Sequence, residues 1–286
     1  MKNVAHTLPF LIRNDNDLIM ADLCFRSLAN SDPGAFLVLY NQGCLSNENL
    51  RIFLNKYNLD AHILGDGHNA GIARGRMACF KYIWDQSPNK DYISEIHVDM
   101  IFPKGWVQAL VEFLVHNDEP MICSGILTSQ GELHPEQKGK RAIQDIPVSN
   151  LEQLEILLNS LTSNKVLEGF VHPVIHRAQI LKKVGGYDTR FLKGKQGYED
   201  DSLLLGYRYY MGTRYNWKPK CYTMVRVYHA TLAQRSTMSD IEKEFINNLQ
   251  GLIHQYGFKG LMELNEIYKD NLHFTSIARQ LLKQIE

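Results

Sequence analysis

Four stretches of this 286-residue chain hold side chains that could do chemistry. The first, Ile93 to Trp106, reads ISEIHVDMIFPKGW. It has the pattern of a short buried strand that runs out in His97-Val98-Asp99 before a proline opens a helix. Residues two apart on an extended chain point to the same side, so His97 and Asp99 face one way. Asp99 is a hard oxygen ligand suited to Mg2+ or Mn2+, and the imidazole of His97 moves the preference towards Mn2+. Such a cation would carry a phosphorylated ligand. The competing reading is structural, with Asp99 capping the helix near Pro103 and His97 a satisfied polar residue.

The second stretch is Gly197-Tyr198-Glu199-Asp200-Asp201. Three carboxylates at a helix start suit the macrodipole, so capping explains one of them. The other two repel it and each other. A carboxylate there that faces a pocket can be a general base for a hydroxyl. The third is His229, closing the apolar run VRVYHA. It is a structural histidine unless its strand runs beside the one that carries Asp99. The fourth is Asn69-Ala70-Gly71 with Arg74 and Arg76, a helix start with basic residues one turn in. That pattern can hold pyrophosphate on backbone N–H groups and guanidinium, or be a capped helix with a solvated basic face. Three other chemistries are excluded. No GxGxxG follows the first strand, the glycines of Gly65 to Gly71 lack the P-loop lysine and Ser/Thr, and no GxSxG elbow occurs.

The elements that must position these residues alternate along the first hundred positions. Strands are expected over Val4–Ile12, Phe36–Tyr40, Ala61–Leu64 and Ile93 onward. Helices are expected over 15–28, 47–57 and 71–84, on apolar spacing such as Leu18, Ala21, Phe25 and Leu28. Pro9 puts the first strand at an edge or marks its end. This alternation predicts a mostly parallel, Rossmann-like α/β sheet flanked by helices. Ligands bind such sheets beyond the carboxyl ends of the strands. Asn14-Asp15, Asn41-Gln42, Asp66-Gly67 and His97-Val98-Asp99 then share one rim. Further on, helices are expected over 105–115, 151–161 and 177–184. Strands are expected over Met121–Ile126, Val166–Ile175 and Tyr222–Tyr228. The polar stretch 128–150 is long enough for a functional or mobile loop. From Met238 on, Ile241, Phe245, Leu249 and Leu252 mark a C-terminal helical appendage.

Basic and acidic residues balance at 31 each, so no overall field calls for nucleic acid or an anionic membrane. No apolar run spans a bilayer, and the N-terminus lacks a secretory pattern. The five cysteines are odd in number and scattered without a CxxC pair, which argues against a disulfide framework and a zinc knuckle. A cytoplasmic protein is expected, with any membrane link supplied by a partner.

Taken together, the motifs resemble glycosyltransferase family 2, of the GT-A fold, across about residues 4 to 235. HNAGIARGRMACF is similar to the family's Asn-x-Gly-x-x-x-x-Arg helix. EIHVDMIFPKGWVQAL is similar to its strand, DxD motif and following helix. VGGYDTRF and GYEDDSLLLGYR resemble its Gly-Gly-aromatic-Asp and Glu-Asp motifs, and VYHA its distal histidine. The resemblance implies a GT-A domain over 1–235, with a donor half of about 1–125 and an acceptor and catalytic half of about 126–235. Residues 236–286 follow as a helical extension.

It also implies an inverting transfer from a nucleotide-diphosphate sugar, UDP by family weight, to an acceptor hydroxyl the sequence does not identify. The acceptor could be glycan, lipid-linked or peptide. By the same resemblance Asp200 is the base, with Glu199 orienting it or the acceptor. Asp99 and His229 hold Mn2+ or Mg2+. Asn41, Asp66, Thr7 and Pro9 lie near the nucleoside, with His97 and Val98 beside the ribose and Asn69, Arg74 and Arg76 near the diphosphate. Tyr198 and Trp106 are candidates for stacking on sugar. The departure is His97, which stands where the family has the first Asp of DxD. It removes a negative charge beside the cation and opens a second reading, a sugar-nucleotide-binding or scaffolding module without catalysis. A nucleotidyltransferase would want a basic glycine-rich loop after the first strand, and Arg13-Asn14-Asp15-Asn16 is not one.

Overall fold

The structure, a computed structural model, describes residues 3–231, 241–269 and 272–283. Four parallel strands make its first half: β1 (Val4–Phe10), β2 (Phe36–Asn41), β3 (Asp60–Leu64) and β4 (Tyr92–Glu95), in the order β3-β2-β1-β4. The apolar run FLVLY becomes β2 because it is covered on both faces, and Leu37, Val38 and Leu39 are fully buried. Helices α1 (Asp15–Ser31), α2 (Asn47–Leu54) and α3 (Ile72–Gln86) make the crossovers. Asn14 caps α1 by accepting from Asp17 N at 3.0 Å, and Asp15 and Asp17 suit the positive helix end. Pro9 is the next-to-last residue of β1. β4 pairs with β1 only from Val4 to Thr7, so the missing N–H falls beyond that ladder.

The second half comprises β5 (Met100–Ile101), α4 (Trp106–His116), β6 (Met121–Thr128), β7 (Leu133–His134) and α5 (Leu151–Ser160). It continues with β8 (Val166–Glu168), β9 (Val174–Arg177), α6 (Ala178–Val184), α7 (Glu199–Met211) and β10 (Lys220–His229). Two helices, α8 (Ile241–Tyr268) and α9 (Leu272–Lys283), complete it. The sheet runs on as β4-β9-β6-β10-β5. β9 is antiparallel to both neighbours, while β6 and β10 are parallel to each other.

The single strand expected over 166–175 is therefore two. Gly169 turns the chain at φ +154°, and Pro173 cannot donate to a ladder, so β8 pairs with β10 while β9 enters the sheet centre. The stretch 128–150 is tied down at several points. β7 pairs with β6, Glu132 bridges to Arg141, and Glu136 pairs with Arg226 of β10.

Apolar clusters cover both faces of the sheet. α1, α2 and α4 supply one, and α3, α6, α7, α8 and α9 the other. Leu252, Leu261, Leu264 and Phe274 of the last two helices share the second cluster with Phe80 and Leu203. The C-terminal helices thus pack as part of the main core. α8 kinks at Gly257, whose φ of +63° and ψ of −165° are not helical. Trp106 is a core residue, fully buried and stacked on Phe102 with centroids 4.7 Å apart, so it cannot meet a sugar. The expected boundary at 235–236 and the start at Met238 lie outside the described residues. Among the described residues, no helix is long and apolar enough to cross a membrane.

Candidate active site

The site begins where β4 leaves the sheet. After Glu95 the chain runs through Ile96–Val98 and re-enters as β5, which pairs antiparallel with the end of β10, His229 opposite Met100. Ala230 N donates to Asp99 O at 3.0 Å and closes the junction. The pairing brings three side chains together. His229 Nε2 lies 3.3 Å from Asp99 Oδ1 and 3.4 Å from His97 Nδ1, and ligand atoms of all three fit within 4.8 Å of one another. Bonds of about 2.1 Å to one cation put neighbouring ligands about 3.0 Å apart in an octahedron and about 3.4 Å apart in a tetrahedron. The two contacts of His229, at 3.3 and 3.4 Å, fall in or near that range. The donor set, one carboxylate and two imidazoles, suits Mn2+ better than Mg2+.

A cleft of about 640 Å³ opens over this cluster, a volume that suits a small organic ligand. Of the expected residues, Pro9, Asn69, His97, Val98, Asp99, Glu199, Asp200 and His229 line it. Asp200 stands at the first turn of α7, where the chain arrives through Gly197 (φ +97°) and Tyr198 (φ +60°). A Cβ at Gly197 would come within 2.8 Å of the Phe245 ring, so only glycine lets the loop lie this close to α8. Asn248 of α8 fixes the same loop, accepting from Gly194 N at 2.6 Å and donating to Gly197 O at 2.7 Å.

Other expected residues do different work. Arg76 is fully buried. Its Nη1 bonds to Thr7, its Nη2 to Ile96 O, and its Nε lies 3.1 Å from Glu95 Oε2, so it cannot reach a pyrophosphate. Thr7 is equally buried, donating to Ser94 O and accepting from Arg76. Asn41 spends its amide on its own loop, accepting from Gly43 N and donating to Leu45 O and Asn47 Oδ1. Its neighbour Gln42 lines the cleft instead. Asp66 and Arg74 are exposed and outside the cleft lining, and Asp66 bonds to His68. The start of α3 is occupied: Ile72 N donates to Lys195 O at 2.9 Å, and a Cβ on Gly71 would meet Lys195 Cα at 2.6 Å. The basic residues on the cleft are Arg13, Lys138 and Lys195.

The sequence reasoning missed a buried polar network under the cleft. Glu95 is fully buried. It accepts from Tyr187 Oη at 2.7 Å, contacts His176 Nε2 at 2.8 Å and pairs with Arg76. Tyr207 Oη bonds to the other nitrogen of His176 at 2.8 Å. Burial alone would raise the Glu95 carboxyl, but His172, His176 and Arg76 outweigh it and hold it well below the usual range. His172 links this network to the cleft. Its Nε2 stands 3.9 Å from Glu95 Oε2 and 3.9 Å from Asp200 Oδ1, and its ring packs on His97 with centroids 4.5 Å apart. Only the alternation of Glu95 with His97 hinted at this, since Glu95 faces opposite to Ile96 on a strand read as apolar.

No family profile matches the chain, and no curated protein sequence matches it. Solved structures do. A fragment of S. aureus TarS, residues 1–349, with UDP-GlcNAc gives a TM-score of 0.57 at 12% identity, over 99% of this chain and 72% of that one. The same fragment with UDP gives 0.54 at 12%, over 99% and 71%. GalNAc-T7 with UDP, GalNAc and Mn2+ gives 0.55 at 12%, over 80% of this chain and 44% of that one. At this identity the likeness is one of fold, and the fold is that of the GT-A glycosyltransferases.

Proposed function

We propose that the protein is an inverting, family 2-type glycosyltransferase that takes a UDP-sugar with the help of Mn2+. The observation that carries this reading is one cleft in a GT-A fold that holds both the His97, Asp99 and His229 cluster and the Asp200 carboxylate. The neighbours with UDP, UDP-GlcNAc and Mn2+ support the choice of donor and cation.

A cation on the cluster would supply Lewis-acid charge to the donor's diphosphate. The rest is done by the chain. Lys138 and Lys195 add positive charge along the cleft, and Gln42, Pro9 and Asn69 shape the nucleoside end. Asp200 takes the proton of the acceptor hydroxyl as its oxygen attacks the anomeric carbon. The new C–O bond forms as the old one to phosphate breaks, and that electron pair leaves on the diphosphate. Glu199 orients the acceptor beside it. In this reading residues 1–125 bind the donor and 126–235 carry acceptor and base. A cytoplasmic setting belongs to this reading, in which the buried cysteines Cys24, Cys79, Cys123 and Cys221 stay unbridged.

The test is a screen of nucleotide sugars for hydrolysis with and without Mn2+. Mn2+-dependent release of UDP from one of them is expected. UDP binding with no turnover of any donor or acceptor would instead establish the binding module that the His97 substitution suggests.

A further inference from the structure

The cleft that holds Asp200 also has an aromatic side. Tyr198, Phe245, Tyr268, His273 and Phe274 wall it, and four of these five come from α8 and α9. Tyr198 and His273 are joined by a 2.8 Å hydrogen bond from Oη to Nε2, and their rings lie within 8° of parallel with centroids 6.0 Å apart. That bond limits how far one ring plane can sit above the other, so most of the 6.0 Å is sideways. The two rings therefore lie edge to edge in near-parallel planes. Phe274 meets both rings edge-on, at 6.3 and 5.1 Å, and Phe245 meets Tyr198 at 5.9 Å, which fixes their orientation.

Tyr198 also holds a left-handed backbone, φ +60°, where glycine or asparagine would be relaxed. A strained aromatic residue two positions before the base points to a use for that ring. Next to it, Asp201 accepts from Tyr268 Oη at 2.8 Å and lines the cleft with Asp200.

Building on the proposed transfer, we infer that the acceptor is a sugar residue whose pyranose ring lies on the Tyr198–His273 surface, with its attacking hydroxyl at Asp200. A pyranose has a C–H-rich face and a rim of hydroxyls. The aromatic surface suits the face, because positively polarised C–H groups favour the negative face of a π system. The polar ring edges and the Asp200 and Asp201 carboxylates suit the rim. An alkyl chain would bring no hydroxyls to the carboxylates that line the cleft here, and an acyclic polyol phosphate would present no flat face.

The test uses the full chain with UDP and Mn2+. Methyl β-D-glucopyranoside, methyl β-D-galactopyranoside and methyl N-acetyl-β-D-glucosaminide are compared with sn-glycerol 3-phosphate and hexanol by saturation-transfer NMR, with UDP affinity measured calorimetrically on the same samples. At least one pyranoside should receive saturation on its ring C–H protons. Tyr198→Asn, which suits the left-handed backbone, and His273→Ala, which leaves Tyr198 in place, should each weaken it by about three- to tenfold. UDP binding with no pyranoside binding, pyranoside binding unchanged in both variants, or saturation of glycerol 3-phosphate or hexanol in its place would overturn the inference. Loss of UDP binding in the wild-type protein would instead remove the donor reading beneath it.

Discussion

His229 Nε2 stands 3.3 Å from Asp99 Oδ1, and the contact exists because the two residues of β5 pair with the last two of β10. Neither partner is a convincing ligand alone. The pairing closes the sheet at one edge and, by the same hydrogen bonds, places an imidazole across from a strand-end carboxylate. His97 completes the cluster from the near side, 3.4 Å from the same His229 nitrogen. In the proposed reading, the histidine that stands where family 2 has the first DxD aspartate would be a third ligand, with less negative charge and a more transition-metal-like donor set.

That geometry makes His229 the most telling substitution at the cluster. His229→Ala should weaken Mn2+-dependent UDP binding by about 10- to 100-fold while leaving cation-independent binding alone. Calorimetric titration of UDP with Mn2+ and with EDTA reads both. An equal loss in the two conditions would show that His229 serves packing.

Asp200 faces the cleft from the first turn of α7, and the base role proposed for it is separable from donor binding. Asp200→Asn keeps the size and removes the base. Transfer, measured as UDP release with acceptor present, should fall about 10²- to 10⁴-fold. UDP affinity should change by less than about threefold. Transfer near the wild-type rate would reject the base assignment.

Glu95 makes a different prediction because no substrate reaches it. Glu95→Gln leaves Arg76 buried without its counter-charge. The cost should be about 3 kcal/mol. The melting temperature should then fall by roughly 6–12 °C. Circular dichroism melts check this, and a variant that melts like the wild type would mean that His172 and His176 hold the network together alone.

Glu136 gives the pH dependence. Burial raises its carboxyl, but the hydrogen bonds from Arg226 outweigh that and hold it below its ordinary value. A lowered folded pKa means the contribution is complete above the unfolded value, about 4.3, and is lost as pH falls through the folded one. Glu136→Gln should therefore narrow the stability difference from wild type as the pH drops below about 4.3, with little change in that difference between pH 6 and 8. Urea melts at a series of pH values measure it. A difference that stays constant down to pH 3 would contradict the pairing.

Much of this was legible in the chain, for physical reasons that differ by residue. Strand ends in a parallel sheet share a rim, so Asp99 was singled out from local pattern and fold logic together, while Asp200 was singled out from the carboxylate run at a helix start and the family resemblance. The helix start at Glu199 followed from the apolar spacing of Leu203, Leu204 and Tyr207, and α7 begins there. Arg76 was misread because a basic residue one turn into a helix looks the same whether it faces solvent or the sheet. Only the burial of Glu95, Thr7 and Ile96 around it decides. His172 could not be read at all. Its meaning depends on Glu95 and Asp200, which reach it from β4 and α7 and share no sequence spacing with it. The C-terminal helices were legible as helices, but their part in the cleft depends on close approaches at Gly197 and Gly251 that periodicity does not show.

The central claim, a UDP-sugar site built on a cation at His97, Asp99 and His229, is tested most directly by titrating UDP into the wild-type protein with Mn2+ and again with EDTA. Binding that weakens at least about tenfold when the cation is removed is the predicted result. UDP that fails to bind, or binds equally in both conditions, would contradict it.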